Sequence, residues 1–251
     1  MGQVITDAHE AAQVLAGHVA RASHTVFFGG AGVSTASGIP DFRSENGLYR
    51  QHFSSEYPPE ELLSHHLWRE RPELFYDFYR TMMCTPDARP NQAHLKLAQL
   101  EAEDGLDVVI TQNIDGLHQK AGSKNVVELH GSTKRNHCMG CGAHYGLDYI
   151  LHHRPIPHCS CGGIVRPDVV LYEESLDTAT VEGAVTAIRA ADTLIIGGTS
   201  LIVYPAAGLI DYFRGEHLVL INRSATSADA RAELVIRDPI GTALHAALPT
   251  A

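Results

Sequence analysis

The sequence lacks the features that would place a protein in a membrane, in an oxidising compartment or on a polyanion. Its longest apolar stretch, Leu194 to Ile210, is broken by Gly197-Gly198, Thr199-Ser200 and Pro205. It is too short and too interrupted to cross a bilayer. Residues Met1 to Asp7 show no basic segment followed by an apolar one, so no secretory signal is expected. Positive charge is in deficit, with 19 Lys+Arg against 29 Asp+Glu and a formal net charge of −10. That excess argues against direct, non-specific binding of nucleic acid or anionic membrane, and it leaves room for a local site that accepts a cationic peptide. Cysteine is scarce and odd in number, five in all. This fits a disulfide framework poorly and a metal site in a reducing compartment better, so a cytoplasmic location is expected. With 44% hydrophobic and 19% charged residues the chain is not mainly disordered, and 251 residues suit one large domain with a modest insert.

Short apolar runs alternate with amphipathic segments. Val26-Phe27-Phe28, Val108-Val109-Ile110, Val126-Val127, Leu194-Ile195-Ile196, Leu218 to Ile221 and Leu234-Val235-Ile236 read as strands. They are continuous rather than alternating, as parallel strands covered on both faces are. Between them, Asp7 is placed to cap a helix to about Ala22, Pro90 to open one to about Ala102, Asp177 to begin one ending near Ala191, and Asp238-Pro239 to start the last. The expected fold is α/β: a doubly wound, Rossmann-like parallel sheet from residues 1–44, 88–131 and 169–251. Two excursions form a smaller lobe. Residues 45–87 carry helical patterns at Pro59–Arg69 and Pro72–Met83. Residues 132–168, rich in Cys, His and Gly, are expected to need a staple.

Gly29-Gly30-Ala31-Gly32 follows the first strand. Glycines there let a backbone approach a diphosphate and present helix-terminal N–H groups to it, although many such turns contain them for packing alone. Thr111-Gln112-Asn113-Ile114-Asp115 follows a second buried strand at the end where open α/β sheets place ligands. An Asn/Asp turn accounts for Asp115 as a helix cap, but not for the polar residues before it. His130 ends another apolar strand. A histidine there is either a hydrogen-bonded structural residue or a general base, and a pKa near 6.5 suits the second role. Cys138-x2-Cys141 and Cys159-x-Cys161 offer four thiolates in two close pairs, the donor set of one structural, closed Zn²⁺ site. The second pair is one residue short of the usual spacing, which leaves His137 or His158 as alternative ligands. Val169 to Glu174 reads as an extended edge able to pair with a bound peptide, or as an ordinary buried strand. Gly197 to Leu201 and Asn222-Arg223-Ser224 place small and polar groups at two further strand ends. His118 is read as structural and the remaining histidines as surface residues.

Three blocks, Gly30 to Ser44, Thr111 to Gly122 and Glu128 to Gly131, stand in the order found in sirtuins. From about residue 25 to 245 the chain resembles that family in its bacterial form, the NAD-dependent protein lysine deacylases. The resemblance implies NAD as cofactor and acyl-lysine-bearing proteins or peptides as partners. The acyl group would pass from lysine to ADP-ribose as nicotinamide leaves. It puts His130, Asn113 and Asp115 in catalysis. Around the cofactor it puts Gly30, Ala31, Gly32, Ser34, Asp41, Phe42, Arg43, Gln112, Ile114, Gly198, Thr199, Ser200, Asn222, Arg223 and Ile240, together with Asn113 and Asp115 again. It puts Tyr79, Met82, Val170 and Tyr172 along the acyl-lysine. The family's usual Phe-Gly-Glu is here Tyr172-Glu173-Glu174.

Sirtuins that remove succinyl or malonyl groups carry a Tyr and, three residues on, an Arg. Here these positions are Tyr79 and Met82, and Arg80 would point about 100° away on a regular helix. Acetyl and other neutral acyl groups are therefore expected. Desuccinylation or demalonylation, mono-ADP-ribosyl transfer, a dinucleotide oxidoreductase and a non-catalytic zinc module are the competing readings.

Overall fold

The computed structural model describes residues 3–4, 8–42, 47–50 and 57–247. In chain order the strands are β1 (Gln3–Val4), β2 (Thr25–Gly29), β3 (Val108–Thr111), β4 (Val126–Glu128), β5 (Gly131–Cys138), β6 (His144–Tyr145), β7 (Val165–Val169), β8 (Thr193–Gly197), β9 (His217–Ile221) and β10 (Leu234–Ile236). The helices are α1 (Ala8–Arg21), α2 (Pro59–Leu62), α3 (His65–Glu70), α4 (Pro72–Phe78), α5 (Gln92–Ala102), α6 (Leu117–Ala121), α7 (Leu147–His152), α8 (Thr178–Ala190) and α9 (Ile240–Ala247). Seven strands form one sheet in the order β1-β10-β9-β8-β2-β3-β4, and its strand pairs are parallel. The order turns back between β2 and β8, which is the topological switch point of a doubly wound sheet. β1 is the strand that apolar patterning did not reveal.

Both faces of this sheet are buried. Phe27, Val109, Ile195 and Val219 lie beneath α1, α5 and α9, with Leu15, Leu97 and Leu244. One residue further on, Phe28, Ile110, Ile196 and Leu220 lie on the opposite face with Ile188 of α8 and Leu209. Period-two alternation within each strand makes this possible, and it explains why the strands read as unbroken apolar runs. Asp177 caps α8 through the Thr180 N–H, as expected. For α5 the cap is Asn91 rather than Pro90, because its side chain accepts from Ala93 N. Asp7 lies outside the described residues.

The small lobe joins both excursions. β6, β5 and β7 form a second, antiparallel sheet. One apolar core unites Leu62, Trp68, Phe75 and Tyr79 with Cys138, Ile150, Cys159 and Val165. The helical stretches are shorter than their sequence patterns. Pro59–Arg69 breaks at Leu63, and Ser64 caps α3 by accepting from Leu67 N. The helix opened at Pro72 changes pitch: after α4, Tyr79–Met83 forms a π-turn.

Candidate active site

The carboxyl ends of the large sheet open into a cavity of about 1270 Å³ that runs under the small lobe. A volume above the ~300–1,000 Å³ of ordinary small-molecule pockets leaves room for two ligands. Its floor is the switch point. Gly29 and Gly197 lie side by side in the sheet, and Gly32 N donates to Gly198 O at 2.8 Å. A Cβ on Gly32 would stand 2.8 Å from Gly198 Cα, and Gly198 has a φ of +59°. These two glycines are therefore required by each other, whatever they also offer a ligand. The chain after β2 does not enter an α-helix. It makes two 3₁₀ turns, Ala31–Val33 and Thr35–Ser37, so the expected helix-terminal N–H groups are replaced by turn N–H groups.

One wall is a buried polar network. Asn113 Nδ2 donates to Ser34 Oγ at 3.0 Å, and Ser34 Oγ donates to Asp115 Oδ2 at 2.6 Å. Asp115 also accepts from Leu117 N at 2.8 Å, so the helix-cap reading and the site reading are both true of it. Behind Ser34 stands His94. The Asn91 N–H can only donate, so His94 Nδ1 accepts it at 3.3 Å. In the neutral ring, Nε2–H is then left to face Ser34 Oγ at 3.4 Å. Asn91 Nδ2 holds Val33 O at 2.8 Å and Ser37 Oγ at 2.9 Å, which fastens the 31–38 turns to α5. Gln112 Nε2 donates to Thr199 Oγ1 at 3.0 Å, tying the third strand end to the eighth.

His130 closes this wall. Its Nδ1 lies 2.9 Å from the Gln112 carbonyl, which can only accept. In the neutral ring Nδ1 therefore carries the proton and Nε2 is left as a free base. Burial lowers the His130 pKa, partly opposed by that carbonyl, so the neutral form prevails near pH 7. The chain then turns sharply into the small lobe. Gly131 has φ +76°, and a Cβ there would lie 1.9 Å from Asp168 O.

Gly30, Ala31, Ser34, Asp41, Phe42, Ile114, Thr199, Ser200, Asn222, Arg223 and Ile240 line the same cavity, as do Tyr79, Met82, Val170 and Tyr172. Arg43 lies outside the described residues. Phe42 packs edge-on to Tyr49 at 5.7 Å, and the Tyr49 hydroxyl meets that of Tyr172. Leu63, Met83, Tyr204 and Asp238 also line the cavity, and none of them is read from sequence as a site residue. The 169–174 edge is partly used: Tyr172 N donates to Leu63 O, and His65 N donates to Tyr172 O. Arg80 is turned away, with Nε on Ile150 O and Nη2 on His153 O, both at 2.7 Å. His18 and His94 are buried, contrary to the surface reading, because tertiary contacts rather than local pattern set their exposure.

The four cysteines converge with all Sγ atoms within 4.8 Å of one another. Cys138–Cys161 is 3.4 Å and Cys141–Cys159 is 3.6 Å. Zn–S bonds of ~2.3 Å around a tetrahedron place sulfurs roughly 3.8 Å apart, so the set fits Zn²⁺ with no ligand position left open. Gly140 N and the Tyr145 hydroxyl donate to Cys138 and Cys159 Sγ, as outer groups of a metal site do. His137 pairs with Asp168 and His158 with Gly162 O, so neither is needed as a ligand.

Comparison with known proteins agrees with this geometry. The Sir2 family model matches residues 30–205. An NAD-dependent protein deacetylase of Clostridium acetobutylicum is 58% identical over 229 residues, covering 90% of this chain and 94% of that protein. A Sir2 homologue solved with NAD superposes at a TM-score of 0.85 and 34% identity, covering 97% of this chain and 93% of that one. A Sir2 variant solved with deacetylated p53 peptide and 3′-O-acetyl ADP-ribose gives 0.85 and 34%, covering 93% and 95%. The chain belongs to the Sir2 family.

Proposed function

We propose that this chain is an NAD-dependent protein lysine deacetylase that acts on acyl-lysine in proteins or peptides and favours acetyl and other neutral acyl groups. The observation that carries the reading is His130: its Nδ1–H is committed to Gln112 O, and the ring lines one cavity with the Asn113–Ser34–Asp115 network and the small-lobe residues Tyr79 and Val170. Bound NAD supplies an electrophilic ribose carbon, a departing nicotinamide and the hydroxyls that receive the acyl group. Gly30, Ala31, Gly32, Thr199, Ser200, Asn222 and Arg223 hold the dinucleotide, and the absence of Cβ atoms at Gly30 and Gly32 lets the two turns that form this floor pack against each other. Asn113 and Asp115, fixed by Ser34, orient the ribose. His130 Nε2 takes the proton of a ribose hydroxyl. Phe42, braced on Tyr49, covers the site against water. Zn²⁺ held by the four cysteines is structural and takes no part in the chemistry.

Acyl choice follows from charge. Tyr79 is fully buried, Met82 is apolar, and Arg80 is spent on two carbonyls across the small lobe. Among the described lining residues the one Lys or Arg is Arg223, on the large-sheet loop after β9. A carboxylate beside Tyr79 and Met82 would be buried without compensation. A cytoplasmic location and the absence of direct nucleic-acid binding belong to the same reading and rest on cysteine usage and acidity. Among the described residues no helix is long and apolar enough to cross a membrane.

The test is nicotinamide release from acetylated, butyrylated and succinylated lysine peptides. The neutral acyl groups are expected to turn over and succinyl to lag well behind; equal rates would overturn the acyl assignment. His130→Ala is expected to lower deacylation by about 10²–10⁴-fold while retaining nicotinamide exchange. Deacylation at the parent rate would remove His130 from the mechanism.

A further inference from the structure

At the amino ends of the strands, on the far side of the large sheet from the crevice, three side chains from separate elements converge. His18 comes from the last turn of α1, His217 starts β9, and Glu233 precedes β10. Their ligand atoms all lie within 4.8 Å of one another. His217 Nδ1 is 2.7 Å from Glu233 Oε2, and His18 Nε2 is 3.8 Å from the same oxygen. His18 is only 4% exposed, yet neither of its ring nitrogens has a hydrogen-bond partner. Leaving a buried polar group unpaired destabilises the fold unless a partner is supplied. His118 is orphaned in the same way, but what packs on it is the rings of Phe27 and His94. His18 also meets a second imidazole, that of His217, but adds to it a carboxylate, that of Glu233.

We propose that His18, His217 and Glu233 form a second metal site, for a divalent transition-metal cation of the zinc class, with water completing the coordination. Two imidazoles and a carboxylate are a donor set zinc accepts, and a site with three protein ligands keeps one position open. Bonds of about 2.0–2.2 Å put tetrahedral ligand atoms roughly 3.3–3.5 Å apart, between the two separations seen. The two rings stack at 3.9 Å and 28° and must splay to chelate. That motion is a rotation about χ2, a broad torsion in histidine. Arg21, in the same last turn of α1, adds a positive charge that limits affinity. Glu233 is half-exposed and gives the ion its way in. Occupancy ties the end of α1 to β9 and β10, remote from the cavity, and so acts on stability rather than turnover.

The test uses protein isolated with its cysteine-bound zinc and titrated with Zn²⁺ alone, by calorimetry and by melting. One further equivalent is expected to bind and to raise the melting temperature. Glu233→Gln and His18→Phe are each expected to weaken it by more than about tenfold while leaving the first ion and the deacetylation rate unchanged. Glu233→Gln alters only a half-exposed side chain, so it decides the matter even if His18→Phe does not fold. Absence of the second equivalent overturns the proposal. So does a second equivalent that binds both variants with parent affinity, which would place the ion elsewhere.

Discussion

In the large lobe, two rows of side chains one residue apart, led by Phe27 and Phe28, fill opposite faces of a single sheet. In the small lobe, β6 has two residues and β7 has five, and the core they share with α2, α3 and α4 includes two of the four clustered thiols. Hydrocarbon burial along parallel strands holds the first lobe without help. The second is drawn from two distant chain segments, and where its turns cross there is no room for packing: a Cβ on Gly163 would come 2.8 Å from Cys138 Sγ. Sulfur and an ion take the place of side-chain packing there. The cavity belongs to neither interior. It lies where the lobes meet, with His130 on one side and Val170 and Tyr172 on the other.

The largest effect expected from this contrast follows from taking away the ion. Structural zinc contributes on the order of 10 kcal/mol to folding in small modules. Chelation or Cys138→Ser is therefore expected to unfold the small lobe and leave the large one standing. The single tryptophan, Trp68, sits in the small-lobe core and reports on it alone, whereas far-UV circular dichroism follows mainly the large lobe. Trp68 emission should shift to the red while most of the dichroism persists. Unchanged emission after zinc removal would mean that the two cores stand or fall together.

The large lobe has its own weak point, which is acid. Burial pushes the His118 pKa down to about 3. Unfolding returns it to about 6.5, so below that pH the unfolded chain takes up a proton that the native chain refuses. The stability is fully present above about pH 6.5 and is lost as pH falls from there toward 3. At pH 5 the loss from this one group is about 2 kcal/mol. His118→Leu removes it, and the drop in melting temperature between pH 7 and pH 5 should shrink by roughly 4–8 °C when followed by dichroism. An equal drop in parent and variant would clear His118 of the acid weakness.

The same contrast explains what was legible in the sequence. Phe27-Phe28 and Ile195-Ile196 announce a two-faced strand because each residue is buried by the local pleat, and the cysteine spacing announces an ion because thiolates so close need one. What stayed hidden depends on distant partners. His94 stands between Ala93 and Leu95 in α5, and its ring meets Ser34, sixty residues away, and packs on His118. The glycines at 32 and 198 look like a ligand cradle, and the backbones they allow to touch belong to two different turns. The π-turn at Tyr79–Met83 carries no periodicity that separates it from a helix, yet it helps set where Arg80 points.

The junction supplies the smallest and most discriminating effect. Glu173 stands where the family commonly has glycine, and its φ is +76°. Left-handed backbone costs a side-chain-bearing residue about 1–2 kcal/mol. Its carboxylate offsets part of that by accepting from His66 N at 2.9 Å, a bond worth about 0.5–1.5 kcal/mol. Glu173→Ala keeps the strain and loses the bond, so it should destabilise by about 1 kcal/mol. Glu173→Gly loses both and should stay within about 0.5 kcal/mol of the parent. The gap between Ala and Gly measures the strain less glycine's extra freedom in the unfolded chain. Whether it appears in the Trp68 transition or in the dichroism shows which lobe the turn at Glu173 stabilises. If the two variants melt together, the turn is held by its neighbours and not by the backbone at position 173.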